Sequence, residues 1–118
     1  KHFGLRIDTG IFPDRAIPLR PGETRETRPA FLDGLGVDPA DFADVAPYVV
    51  FVQAKFHDID ETLEDQQIPW RPVLQGLKDA GYAGYLSSEY EGVRSPWRSL
   101  EQVRRQHSLM RTIASQLD

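Results

Sequence analysis

The 118-residue sequence contains no cysteine, which excludes a disulfide framework and any thiolate metal site. It has no apolar run approaching the roughly 20 residues that a membrane-spanning helix needs, so no membrane partner is expected. It also lacks a basic excess: 14 Lys and Arg against 18 Asp and Glu leave a net charge of −4. Nucleic acid is therefore not an expected partner, although Arg15, Arg20, Arg25 and Arg28 cluster locally. Low-complexity tracts and a signal peptide are missing too, and the expected location is cytoplasmic. The first residue is Lys1 rather than Met, already inside a strand-like segment. The sequence thus reads as a single-domain piece of a longer protein.

What the sequence does have is an alternation of strand-like and helix-like segments, the pattern of an α/β protein with parallel strands. In Lys1–Asp8 (KHFGLRID) the residues Phe3, Leu5 and Ile7 share one face, and His2, Gly4, Arg6 and Asp8 the other. The apolar face is expected to meet helices. Residues 10–36 are rich in Pro, Gly and Arg and read as a long loop insertion, with at most a short helix over Pro29–Leu35. Asp38-Pro39-Ala40-Asp41 supplies an N-cap, a proline and an acid for a short helix to about Val45. Val49–His57 (VVFVQAKFH) is the second strand, nearly continuous in apolar residues up to Gln53 as for a strand covered on both faces.

After a polar loop, Trp70, Val73, Leu74 and Leu77 fall on one face of a helix, and Gly81 suits a left-handed cap at its end. The third strand runs through Gly84–Glu91 (GYLSSEYE). Ser99 and Gln102 predict a capping box for a last helix with Leu100, Val103, His107, Met110, Ala114 and Leu117 in one stripe.

All three strands end in polar groups able to bind a metal or move a proton. In a barrel of parallel strand–helix units, such groups collect at the C-terminal ends of strands. Asp8, Gln53 and Glu89 can then meet on one rim although 45 and 36 residues separate them.

The motifs GLRIDTG around Asp8, VQAKFHD from Val52 to Asp58, and IPWRPVLQGLKDAGYAGYLSSEYEG from Ile68 to Gly92, followed by the closing helix, carry a resemblance. The chain resembles the C-terminal three strand–helix units of the sugar-isomerase-like TIM barrels. This superfamily includes xylose isomerase, ketose 3-epimerases, inosose dehydratases, the larger subunit of C-glycoside-cleaving enzymes and the endonuclease IV type of AP endonuclease. The order and spacing of the motifs carry the match over most of the chain.

The resemblance implies an α/β fold, namely the last part of a (β/α)8 barrel completed by an upstream segment or a partner chain. It implies a divalent metal, Mn²⁺ first and Mg²⁺, Co²⁺ or Zn²⁺ otherwise, held by Asp8, the residue at Gln53, Glu89, and a further Glu upstream of Lys1. The family pattern is His-x-Lys where this chain reads Gln53-Ala54-Lys55. An amide oxygen can ligate a hard cation but suits zinc less well than an imidazole. His57, further along the same strand, is then either a substitute ligand or a proton carrier. The family also often has a His three residues after its Asp, where this chain has Ile11. Glu89, His57 and Lys55 are the implied catalytic residues, and Glu91, Arg94 and Trp97 are candidates for binding a sugar or sugar derivative.

Each assignment has a plainer competitor. Asp8 before Thr9-Gly10 can cap a turn, and Gln53 with Lys55 can satisfy backbone groups or pair with Asp8 or Glu89. Glu91 and Arg94 can be surface charges, while His2, His107, Trp70 and Trp97 fit structural roles.

Two chemistries fit the rim. In the isomerase or epimerase reading, a carboxylate removes a proton next to a sugar carbonyl, a metal stabilises the resulting enediolate, and the proton returns elsewhere. In the lyase reading of inosose dehydratase or C-glycoside deglycosidase type, the enolate expels a β substituent from a 3-keto sugar. A third reading is a non-catalytic barrel module that has lost its metal site. Homo- or hetero-oligomers are open to all three.

Overall fold

The computed structural model describes residues 3–13, 19, 21–27, 36–92 and 95–117. His2, Arg15, Arg20, Arg28, Arg94 and the short helix expected over Pro29–Leu35 lie outside the described residues. The described chain is a mixed α/β unit. Strands β1 (Leu5–Asp8), β2 (Val49–Phe56) and β3 (Leu86–Tyr90) form one parallel sheet in the order β1-β2-β3. Helices α1 (Trp70–Asp79) and α2 (Ser99–Ala114) follow β2 and β3. No helix among the described residues is long and apolar enough to cross a membrane.

The run of β-branched and aromatic residues that opens β2 favours a strand, and alternation then divides its two faces. Val52, Ala54 and Phe56 are fully buried in a core shared with Trp70, Val73, Leu74 and Leu77 of α1 and Met110 and Ile113 of α2. The opposite face of β2 carries Phe51, Gln53 and Lys55, all at least partly exposed. The expectation of a strand covered on both faces is therefore met on one side only among the described residues. Helix α1 buries the four residues its periodicity predicts and ends at Asp79, with Ala80 as its C-cap and Gly81 just beyond in the left-handed conformation expected there, φ +72°. Its Trp70 is structural: the indole Nε1–H donates to Asp65 Oδ2 at 2.7 Å, while Asp65 Oδ1 accepts from the backbone N–H groups of Gln67 and Ile68.

Other expectations need correction. Strand β1 starts at Leu5, and Phe3 stands fully exposed outside it; only Ile7 of the predicted apolar face packs against the core. The segment after Asp38 forms a single 3₁₀ turn, Pro39–Phe42, capped by the Asp38 carboxylate. A second 3₁₀ turn follows at Ala46–Tyr48, where Pro47 interrupts any continuing helix.

The capping box is absent as well. Arg98 occupies the N-cap position of α2 without a side-chain cap, and Gln102 points inward. Its Oε1 accepts from Ile59 N–H at 2.8 Å, and its Nε2 donates to Asp58 Oδ1 and to Ile59 C=O, both at 3.1 Å. Gln106 likewise donates from Nε2 to Ala54 C=O at 2.9 Å. The buried residues of α2 are thus Gln102, Gln106, Met110 and Ile113, with Val103 beside them, while Leu100 is 63% exposed. The helix is rotated from its apolar stripe because buried backbone groups at the end of β2 need amide partners.

A direct test follows from that rotation. Gln102→Leu keeps the volume and adds hydrophobicity, yet it should destabilise the complete protein by about 1–3 kcal/mol by orphaning Ile59 N–H. The shift in urea midpoint measures this, and an unchanged midpoint would return α2 to the hydrophobic-stripe reading.

Candidate functional site

Parallel pairing brings the C-terminal ends of the strands to one edge of the sheet. Asp8 lies opposite Gln53 across the β1/β2 pair, and Lys55 opposite Glu89 across the β2/β3 pair. Neighbouring strands are about 4.8 Å apart, and alternation places Asp8, Gln53, Lys55 and Glu89 on the face away from the helices. Ser87 stands opposite Gln53 on β3. The predicted rim residues of all three strands are therefore brought together.

Lys55 is the hub. Its Nζ lies 3.1 Å from Asp8 Oδ2 and 3.4 Å from Glu91 Oε1, so one ammonium links the groups that follow from β1 and β3. Desolvation works against the Lys55 charge, but the hydrogen bond and charge of Asp8, with Glu91 and Glu89 nearby, outweigh it and raise its pKa. Asp8 has the plainer role too: Oδ1 accepts from Gly10 N–H at 2.8 Å and caps the 3₁₀ turn Thr9–Ile11. Turn cap and ion-pair partner are the two oxygens of one carboxylate.

Two contributors escaped the sequence reading. Thr9 is fully buried, and its hydroxyl donates to Lys55 C=O at 2.7 Å, locking the end of β1 to β2. Gly10 leaves room for the pair, since a Cβ there would come within 3.0 Å of both Lys55 Cδ and Asp8 Oδ1. The Asp8-Thr9-Gly10 triplet signals a turn, but only the register reveals that the turn packs under a lysine.

His57 is 5% exposed, and its Nδ1 lies 3.2 Å from the Glu91 carbonyl oxygen. A carbonyl only accepts, so Nδ1 carries the hydrogen of this contact. Burial pushes its pKa below the ordinary value, against the raising effect of the Glu91 carbonyl and carboxylate. His107 is held elsewhere, with Nε2 2.9 Å from Ser88 Oγ.

Glu89 differs from the other acids. Its Oε2 is buried and finds no hydrogen-bond partner among the described residues. A buried carboxylate oxygen without a donor is costly, so its environment suits a cation or a proton donor brought by a ligand. With Asp8 and the Gln53 amide it offers three hard oxygen donors, which fit Mn²⁺ or Mg²⁺ in kind. They fall short in number: no group of three or more His, Cys, Asp or Glu that could hold a metal occurs among the described residues. The further Glu implied upstream of Lys1 is the kind of donor that would complete such a set.

Trp97 is not brought to this rim. It is 78% exposed and lines an open surface hollow of about 570 Å³ with Leu63, Leu100 and Arg104, on the outer side of α2.

No family model matches the sequence. Over 84 residues, 68% of the chain, it is 42% identical to the 3'-dehydrocarminate deglycosidase alpha subunit of a Microbacterium species, of which this covers 24%. Over 90 residues, 72% of the chain, it is 39% identical to a C-glycoside deglycosidase alpha subunit of Arthrobacter globiformis, covering 25% of that protein. A second C-glycoside deglycosidase alpha subunit of the same organism is 36% identical over 89 residues, 75% of the chain and 22% of the relative. The chain thus spans about a quarter of the length of the curated relatives it matches, and over some 70% of its own residues it is a homologue of proteins named 3'-dehydrocarminate or C-glycoside deglycosidase alpha subunit.

Proposed function

We propose that this chain is the C-terminal part of a sugar-processing lyase of the C-glycoside deglycosidase type, its three strands forming one sector of a TIM barrel. The observation that carries the reading is the rim itself: a Glu89 carboxylate whose buried Oε2 has no hydrogen-bond partner among the described residues, beside a Lys55 ammonium that already bridges Asp8 and Glu91. The names of the relatives support the lyase branch over the isomerase or epimerase branch. Their designation as alpha subunits also supports a companion chain in the working enzyme.

The proposed substrate is a C-glycoside whose sugar carries a 3-keto group. Glu89 takes the proton from the carbon next to the ketone. The Lys55 ammonium stands where negative charge develops on the carbonyl oxygen. As the enolate collapses, the bond from the neighbouring carbon to the aglycone breaks, a carbon–carbon double bond forms in the sugar, and the departing aglycone carbon takes up a proton from water or the one that Glu89 removed. Atoms and electrons balance without an external oxidant. A divalent ion held by Asp8, Gln53, Glu89 and the upstream Glu would supply further stabilisation of that charge. Isomerisation or epimerisation shares the first proton transfer and differs in returning the proton to the sugar.

The test is to incubate the complete protein, with its companion chain, with a 3-keto C-glycoside in deuterated water. Release of free aglycone supports the lyase reading. Deuterium incorporation and an isomeric sugar with no aglycone would support the isomerase reading, and neither product would support a non-catalytic module.

The unusual ligand provides a second test. Replacing Gln53 with His should retain or tighten metal binding and move preference toward Zn²⁺, whereas Gln53→Leu should weaken binding by removing an oxygen donor. Titration calorimetry with Mn²⁺ and Zn²⁺ on the complete protein reads both changes. Equal affinities for Mn²⁺ in wild type and Gln53→Leu would take Gln53 out of the ligand set.

A further inference from the structure

We propose that Glu91 is the carboxylate that binds sugar hydroxyls on this rim, and that His57 is the positioning residue that holds it there. The inference rests on the sugar-processing reading above and names a substrate-recognition device within that site.

The paired register of β3 ends at Tyr90, opposite Phe56, and a chain leaving a sheet normally turns away there. Glu91 does not. Its N–H donates to Phe56 C=O at 2.9 Å, and its C=O accepts from His57 Nδ1–H at 3.2 Å. Phe56, the last residue of β2, and His57 just beyond it therefore hold both backbone polar groups of Glu91. The extension keeps the alternation of β3, so Glu91 falls on the same face as Glu89 and Lys55. The 3.4 Å approach of Lys55 Nζ to Glu91 Oε1 then fixes the direction of the carboxylate.

Stability does not account for this arrangement. The Glu91 side chain is 39% exposed, and an ion pair of such exposure contributes only about 0–1 kcal/mol. A histidine that is 5% exposed, and whose burial disfavours its charged form, is nonetheless committed to the carbonyl of that residue. The result is a carboxylate fixed in orientation and open to solvent, beside the proposed base. Its acceptor-only oxygens match neighbouring hydroxyl groups on a sugar ring. Glu89, with its buried oxygen, is suited to the reacting carbon, and Glu91, with its exposed carboxylate, to the rest of the ring.

The experiment is steady-state kinetics on the complete protein with a 3-keto C-glycoside, for wild type, Glu91→Ala, His57→Leu, His57→Asn and the His57→Leu/Glu91→Ala double variant. Glu91→Ala should raise KM about ten- to hundredfold, the loss of hydrogen bonds to a charged group, while kcat changes less than threefold. His57→Leu should move KM in the same direction, and the double variant should be no worse than Glu91→Ala alone. His57→Asn, whose short amide can still donate toward the Glu91 carbonyl, should restore most of the affinity and leave the shape of the kcat–pH profile as in wild type. Nitrogen NMR of wild-type His57 should show a neutral ring protonated at Nδ1 near pH 7.

An unchanged KM in Glu91→Ala, additive effects in the double variant, or a His57→Asn profile with a lost titration would overturn the inference while leaving the lyase reading intact. A wild-type protein that neither binds nor converts a keto sugar would overturn the reading itself.

Discussion

Glu89→Gln is expected to lower turnover of the complete protein by about 10²–10⁴-fold, the usual contribution of a positioned general base, while bound metal falls far less. Glutamine keeps the size of the side chain and one ligating oxygen but cannot take a proton. The structure separates Glu89 from its neighbours on this point. Asp8 is engaged by Gly10 N–H and Lys55 Nζ, and Glu91 by Lys55, whereas Glu89 Oε2 is buried without a hydrogen-bond partner among the described residues.

Removing that carboxylate should cost the fold little, because a buried charged oxygen without a donor is itself destabilising. A near-wild-type melting temperature together with a large loss of turnover would separate a catalytic role from a structural one. The measurements are metal content and deuterium exchange at the substrate carbon next to the ketone. A Glu89→Gln variant that exchanges near normally would leave Glu89 as a ligand at most and shift the search for the base to Glu91.

The face on which these groups meet was legible from alternation alone. Residues two apart on a strand share a side, which puts Gln53 with Lys55 and Glu89 with Glu91. Which of them stand opposite each other was not legible, because register depends on connections such as residues 10–36 that carry no period. The pairing of Lys55 with Asp8 was one of the alternatives the sequence left open and the structure selects it, whereas the buried Thr9 and the space kept by Gly10 appear only in the structure.

Helix α1 was legible because its hydrophobic face does nothing but pack. Helix α2 was legible as a helix beginning at Ser99, but its buried face was not, because Gln102 and Gln106 occupy that side and serve backbone groups of Ile59 and Ala54, 43 and 52 residues away in sequence. Hydrophobic periodicity cannot register a polar residue buried for its hydrogen bonds. His57 shows the same limit: its place on the strand follows from counting, but its partner is a backbone carbonyl 34 residues on.

Residues 1–118 expressed alone should show no cooperative, monomeric unfolding transition. Among the described residues β1 and β3 each pair only with β2, so both are edge strands with an unpaired row of backbone groups. Such edges invite association with other chains. The face away from the helices presents Arg6, Phe51, Gln53 and Ser87, with Phe51 38% exposed, and the neighbouring Val50 is 66% exposed.

In a closed barrel that face is filled by side chains from all the strands, and closure removes the edges. A lone sector has the helix-side core around Val52, Phe56 and Trp70 but lacks the second one. Folded domains keep only about 5–15 kcal/mol of net stability, and fully burying one large apolar side chain contributes about 1.5–3 kcal/mol. Leaving that face unpacked, with Phe51 in solvent, and both sheet edges unpaired is enough to consume that margin. Circular dichroism against urea, with size-exclusion chromatography, reads the outcome. A broad, noncooperative transition or self-association is expected, and supplying the remainder of the longer protein should restore a sharp one. A monomer that unfolds cooperatively without it would count against the barrel-sector reading and favour an independently folding α/β domain.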